Sequence, residues 1–265
     1  MVLYDCSYGS HERNTADIYI PDNPVSETGL ILFIHGGGWT GYDKSVHTPD
    51  AENGSALGYI CASMNYRYAD GSTVISDILD DITQALLTVK TVCAGRGFNL
   101  ERVILAGGSS GAHLSLMYAF LRYEESPLTP VAVFGRCPPV NLADPGIFQG
   151  LSGEFEGFKY ETLCAVSGLE ITKDNFSSPD NLAALRRISP ISYIDRCRVD
   201  IALCQGLKDE LVPYTQVAGF AKALSESGAH IDFITYKNSG HGLDSDPEKT
   251  QAVKDLMKLY CSRYL

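Results

Sequence analysis

The feature that most restricts this chain is a turn of small residues, Gly107-Gly108-Ser109-Ser110-Gly111. It is set between the apolar run Arg102 to Ala106 (RVILA) and the helix-prone run Ala112 to Tyr123. A β-rich apolar run that meets glycines and then a helical stretch reads as strand, tight turn and helix. The turn fits G-x-S-x-G, in which a serine at the tip is held in a strained backbone conformation and its neighbours two positions away must be small. Gly107 and Gly111 meet that need, and the following helix aims its positive end at Ser109. The competing reading is a glycine-rich turn that binds an anion or packs closely, but this turn, AGGSSG, does not have the G-x-G-x-x-G spacing. Ser110 is the other hydroxyl, and placing it at the tip would make Gly108 and Ala112 the flanking pair and break the frame.

Around this turn, short apolar runs alternate with longer amphipathic segments. That alternation predicts an α/β chain with a mostly parallel central sheet and helices on both faces. Strands are expected at Thr15 to Ile20, Leu30 to Ile34, Tyr59 to Asn65, Arg102 to Ala106, Val131 to Phe134, Ile201 to Cys204 and Ile231 to Tyr236. Apolar residues at Ile78, Leu79, Ile82, Leu86 and Leu87 predict a helix from Ser76 to Cys93 with one buried face, and a closing helix is expected from about Lys249 to Tyr264. Between Pro138 and Ile194 the pattern loosens into scattered Pro, Gly, Ser and Asn among the aromatics Phe148, Phe155, Phe158 and Tyr160. A stretch this long exceeds an ordinary connection and predicts a small helical lid. With 265 residues, 45% of them hydrophobic, one domain suffices to hold a core.

Two further motifs lie in positions that complement Ser109. Directly after the apolar run LILFI stands His35-Gly36-Gly37-Gly38-Trp39, where three glycines let backbone N–H groups converge on one point, as a tetrahedral oxyanion requires. The expected donors are Gly37, Gly38 and the amide of Ser110. A tight turn alone needs only one or two glycines, and His35 reads as a scaffold residue rather than a base. Late in the chain, Asp209 follows one strand and His241 the last one, in the order that a serine, acid and base arrangement asks for. The imidazole takes the serine proton while the carboxylate fixes its tautomer. Glu210 is the runner-up acid. Asp244 and Asp246 lie close to His241 in sequence and read as surface charges, His230 and His113 as structural, and His47 as a weak candidate for substrate contact.

Composition narrows the partners. Against 21 basic residues stand 32 acidic ones, a net charge of -11, which argues against nucleic acid and anionic membrane surfaces. No apolar stretch is long enough to span a bilayer, and Met1 to Ser10 lacks the pattern of a secretory signal. The eight cysteines are scattered without a CxxC pair and read as reduced, mostly buried thiols. These features predict a soluble, cytoplasmic protein, with a homo-oligomer left open.

Taken together, ADIYIP, HGGGW, MNYRY, GGSSGAHL, KDELVP and SGHG resemble the α/β-hydrolase esterases of the hormone-sensitive-lipase-like and carbohydrate-esterase or arylformamidase-like groups. The resemblance implies an α/β-hydrolase fold over nearly the whole chain and a triad of Ser109, Asp209 and His241. It also implies oxyanion donors at Gly37, Gly38 and Ser110, and hydrolysis of a small carboxylic ester without metal or organic cofactor. Arylformamidase-type amide hydrolysis and a non-catalytic binding protein on the same fold are the alternatives. Three departures stand out: little sequence precedes the first strand, Gln205 stands where relatives often carry His, and Ser110 replaces a common alanine.

Overall fold

The structure, a computed structural model, describes residues 1–26, 28–150 and 157–265. Eight strands form one sheet in the order β1-β2-β4-β3-β5-β6-β7-β8. β1 (Val2–Ser7) pairs antiparallel with β2 (Thr15–Tyr19), which pairs antiparallel with β4 (Ile60–Met64). β3 (Gly29–Ile34), β4, β5 (Arg102–Gly108), β6 (Thr129–Arg136), β7 (Asp200–Gly206) and β8 (Ile231–Tyr236) run parallel.

The uninterrupted apolar sequence of β3 places it at the centre, since only a strand covered on both faces can be apolar throughout. Leu30, Leu32 and Ile34 enter the larger core, beneath α2 (Ile75–Ala94), α3 (Ser110–Leu121) and α6 (Tyr214–Glu226). Ile31 and Phe33 face the smaller core, beneath α1 (Thr48–Ala56) and α7 (Pro247–Tyr264). α3 is buried on every side from Ser110 to Phe120, as expected of a helix with little polar surface.

Strand order determines where loops can converge. From β3 the chain passes through α1 to β4 on one side, and α2 then carries it back to β5 on the other side of β3. A crevice opens at such a switch point, beyond the carboxyl ends of the two diverging strands. Register sets Ile34 beside Gly107 and Gly107 beside Gly135, so the loops leaving β3, β5 and β6 begin level with one another.

Two elements have little sequence signature. β1 is a mostly exposed edge strand without alternation, held by pairing to β2, and α1 buries only Ala51. α6 is also additional to the expected elements, although Val217, Phe220, Ala221 and Leu224 carry helical spacing. Between β6 and β7 lie α4 (Phe158–Ser167), α5 (Pro179–Arg187) and a 3₁₀ segment, Pro190–Arg196. Phe155, one of the aromatics of this insertion, lies outside the described residues. Among the described residues no helix is long and apolar enough to cross a membrane.

Candidate active site

Ser109 joins β5 to α3 with φ 53° and ψ −122°, a left-handed conformation costing a non-glycine residue about 1–3 kcal/mol. Its neighbours hold it there. The Ser109 N–H donates to the Arg136 carbonyl at 2.7 Å, and its own carbonyl accepts from the His113 N–H at 3.0 Å. A Cβ on Gly107 would lie 2.7 Å from the Ile34 carbonyl oxygen, and one on Gly111 only 2.0 Å from it. Both glycines are therefore demanded by the approach of β3 to the turn. Ser110 is buried in the first turn of α3.

The glycine loop after β3 passes over this turn. A Cβ on Gly36 would meet the Gly108 carbonyl oxygen at 2.9 Å, and Gly37 and Gly38 adopt φ 101° and 61°. Among the described residues no hydrogen bond engages the N–H of Gly37 or Gly38, and the Ser110 N–H belongs to a helix end that leaves such groups without intrahelical partners.

Buried neutral imidazoles brace the loop. Burial pushes the His35 pKa down to about 4; its Nδ1–H donates to the Gly36 carbonyl at 2.7 Å and its ring stacks on Tyr66 at 4.2 Å. The Tyr66 hydroxyl in turn donates toward the His35 and Gly36 carbonyls. His113, likewise lowered to about 4 by burial, accepts from Trp39 Nε1 at 3.2 Å and donates from Nε2 to the Ile188 carbonyl at 2.8 Å. The ring thus ties the glycine loop to α3 and to the end of the insertion. His47 is not brought to the site: it pairs with Asp50 at 2.8 Å and stacks on Phe33 in the smaller core.

Asp209 and His241, beyond β7 and β8, do meet. His241 Nδ1 lies 2.8 Å from Asp209 Oδ2; the carboxylate is wholly buried, and the imidazole is 19% exposed. Asp209 Oδ1 accepts from the Leu211 and Val212 N–H groups, both at 2.9 Å, and Oδ2 also accepts from Gln205 Nε2 at 2.9 Å. Burial works to raise the Asp209 pKa, but the bond to His241 and the backbone donors outweigh it and hold the carboxyl below its usual value. A fixed carboxylate on Nδ1–H leaves Nε2 as the nitrogen for proton transfer. Glu210 is exposed and takes no part in this bond.

Three neighbours act in ways beyond the expected site residues. Asp246, expected at the surface, is buried and accepts from the Asn238 backbone and side chain and from the Ser239 hydroxyl at 2.6 Å, folding the loop that presents His241. Gln205 holds Asp209 and the Val212 carbonyl together. Cys137, buried after β6 with φ 49°, places its sulfur, an Asp209 oxygen and a His241 ring nitrogen within 4.8 Å of one another. Burial, and then the Asp209 charge, push this thiol well up from its ordinary value. No spacing rule flags one cysteine among eight, whereas a polar Gln ending an apolar strand was a legible signal.

The insertion reaches the same edge. The Phe148 N–H donates to the Leu211 carbonyl at 2.8 Å and the Gly150 N–H to the Glu210 carbonyl at 2.9 Å, which docks the insertion on the acid loop. Phe158 packs 3.2 Å from where a Gly38 Cβ would stand and meets Phe148 edge-on at 5.9 Å.

Known proteins resemble this chain in sequence and in fold. Residues 16–145 match the BD-FAE family and residues 166–264 the prolyl oligopeptidase family. The chain is 28% identical over 247 residues to the esterase LipQ of Mycobacterium tuberculosis, covering 91% of this chain and 57% of that protein. It is 34% identical over 251 residues to a probable isoprenylcysteine alpha-carbonyl methylesterase of Arabidopsis thaliana, covering 88% and 56%. The chain thus spans little more than half the length of these relatives. A truncated carbohydrate esterase from gut microbiota superposes with a TM-score of 0.77 at 20% identity, covering 99% of this chain and 95% of that one. Esterase B from Lactobacillus rhamnosis superposes with a TM-score of 0.77 at 16% identity, covering 99% and 85%. At these identities the structural likeness speaks to the fold.

Proposed function

We propose that this chain, a member of the α/β-hydrolase superfamily, is a serine hydrolase of short-chain carboxylic esters. The observation that carries the reading is Ser109 held at a left-handed turn on the same sheet edge as the pair formed by the buried Asp209 carboxylate and His241. In this reading Ser109 Oγ attacks the ester carbonyl while His241 Nε2 takes its proton, and the imidazolium returns that proton to the departing alcohol. Water then repeats the sequence on the acyl-enzyme. The N–H groups of Gly37, Gly38 and Ser110 receive the oxyanion, each contributing about 3 kcal/mol to the transition state. Neither a metal nor an organic cofactor enters these steps.

The insertion at about 138–194 serves as a lid on a single domain. Phe158 against Gly38, with Phe148 behind it, supports a short acyl group, because these rings occupy space beside the oxyanion donors. All eight cysteines are unpaired, which favours a reducing compartment and hence the cytoplasm. Hydrolysis of p-nitrophenyl acetate and labelling by a fluorophosphonate probe test the function. Both should be lost in Ser109→Ala, and wild-type hydrolysis by that variant would refute the assignment.

A further inference from the structure

We propose that Cys137, Asp209 and His241 form an inhibitory site for a thiophilic divalent cation, of which Zn²⁺ and Cd²⁺ are the natural probes. The site follows from strand order: β6, β7 and β8 are adjacent, so the residue just after β6 and the loops after β7 and β8 deliver a sulfur, a carboxylate oxygen and an imidazole nitrogen to one place. These three donors lie within 4.8 Å of one another. Tetrahedral coordination, with metal–ligand bonds of about 2.0–2.3 Å, needs donors about 3.3–3.7 Å apart. The His241–Asp209 contact of 2.8 Å must therefore open slightly and the sulfur close in, by shifts of about an ångström. His241, 19% exposed, offers the approach, and a water fills the fourth position from its side.

Charge and donor type both select the ion. Asp209 is already anionic, and on binding the Cys137 S–H bond breaks, its proton leaves to solvent and the sulfur pair forms the metal–sulfur bond. Thiolate, carboxylate and divalent cation together are neutral, so the buried cluster carries no net charge. A sulfur and a nitrogen among three donors favour zinc-like ions over Mg²⁺ or Ca²⁺, which require oxygen.

Occupancy and catalysis then exclude each other. If the metal takes Nδ1, the ring proton resides on Nε2, which can no longer accept from Ser109. If it takes Nε2, the catalytic lone pair is consumed. Inhibition rests on the hydrolase reading above, whereas the binding itself does not.

The experiment compares wild type with Cys137→Ala and Cys137→Ser. Zn²⁺ should inhibit ester hydrolysis by the wild type, EDTA should reverse the effect, and Mg²⁺ should have none. Measured against each variant's own metal-free rate, the half-inhibitory Zn²⁺ concentration should rise at least about tenfold in both variants. Thiolate-to-cadmium absorption on Cd²⁺ titration should fall by one thiolate per chain in both, since the other cysteines are common to all three proteins. Inhibition within about twofold of wild type in both variants, or an unchanged cadmium absorption, overturns the proposal. A wild type that hydrolyses no ester sinks the hydrolase reading, and the cadmium titration still decides the site.

Discussion

Lowering the pH from 7 to 5 should destabilise the folded chain through His113. An unfolded histidine titrates near 6.5, whereas burial holds the folded His113 at about 4. Between these values the unfolded state binds a proton that the folded state refuses, so stability falls with pH from about 6.5 and the loss is complete near 4. Linkage puts the loss at about 2 kcal/mol by pH 5 and about 3 kcal/mol below pH 4. The physical cause is local. Nδ1 must accept from Trp39 Nε1–H, and a proton there would set two N–H groups against each other. His35, also held at about 4, contributes a similar loss, so the pair removes about 4 kcal/mol at pH 5 from a typical total of about 5–15. Urea unfolding followed by the fluorescence of Trp39, the only tryptophan, measures this at pH 7, 6 and 5. His113→Gln removes the titrating group while leaving a polar side chain, and its loss between pH 7 and 5 should be smaller than wild type by about 2 kcal/mol. Equal losses in the two proteins would refute the buried neutral imidazole, whatever constant offset the substitution introduces.

Asp209→Asn should reduce kcat by about 10⁴-fold with the fold retained. With its oxygen facing the Leu211 and Val212 amides, the new NH₂ would confront Gln205 Nε2 and His241 Nδ1–H and force the wrong tautomer; kcat within about tenfold of wild type would exclude Asp209 as the orienting acid. Gly107→Ala should cost about 1–3 kcal/mol in urea unfolding and most of the activity, because its Cβ would meet backbone of Gly111 and β3. Gly219→Ala in α6, where a Cβ meets nothing within 4 Å, should instead be neutral or stabilise by up to about 1 kcal/mol; similar effects of the two substitutions would contradict the close approach at the turn.

Much of the fold was legible because its central strands announce themselves locally. LILFI can be apolar throughout only when buried on both faces, and RVILA running into GGSSG can be little other than a strand, a turn and a helix. β1 and α1 were illegible because they bury almost nothing of their own, β1 being held by backbone pairing to β2. Asp246 was misread for a related reason: a carboxylate near a loop tip looks solvated until the loop folds back over it.

Ser109, the glycine loop and the Asp209-before-His241 order were determined by the sequence itself, since each is a local demand on backbone or chemistry written in consecutive residues. Tertiary structure alone decided that His241 stands 2.8 Å from Asp209, that Gln205 donates to the Asp209 carboxylate and that the Cys137 sulfur lies close to the pair. The physical reason is that periodicity and spacing report which face a residue takes, while meetings across the sheet depend on strand order and register. Those place β6, β7 and β8 side by side although long stretches of chain separate them.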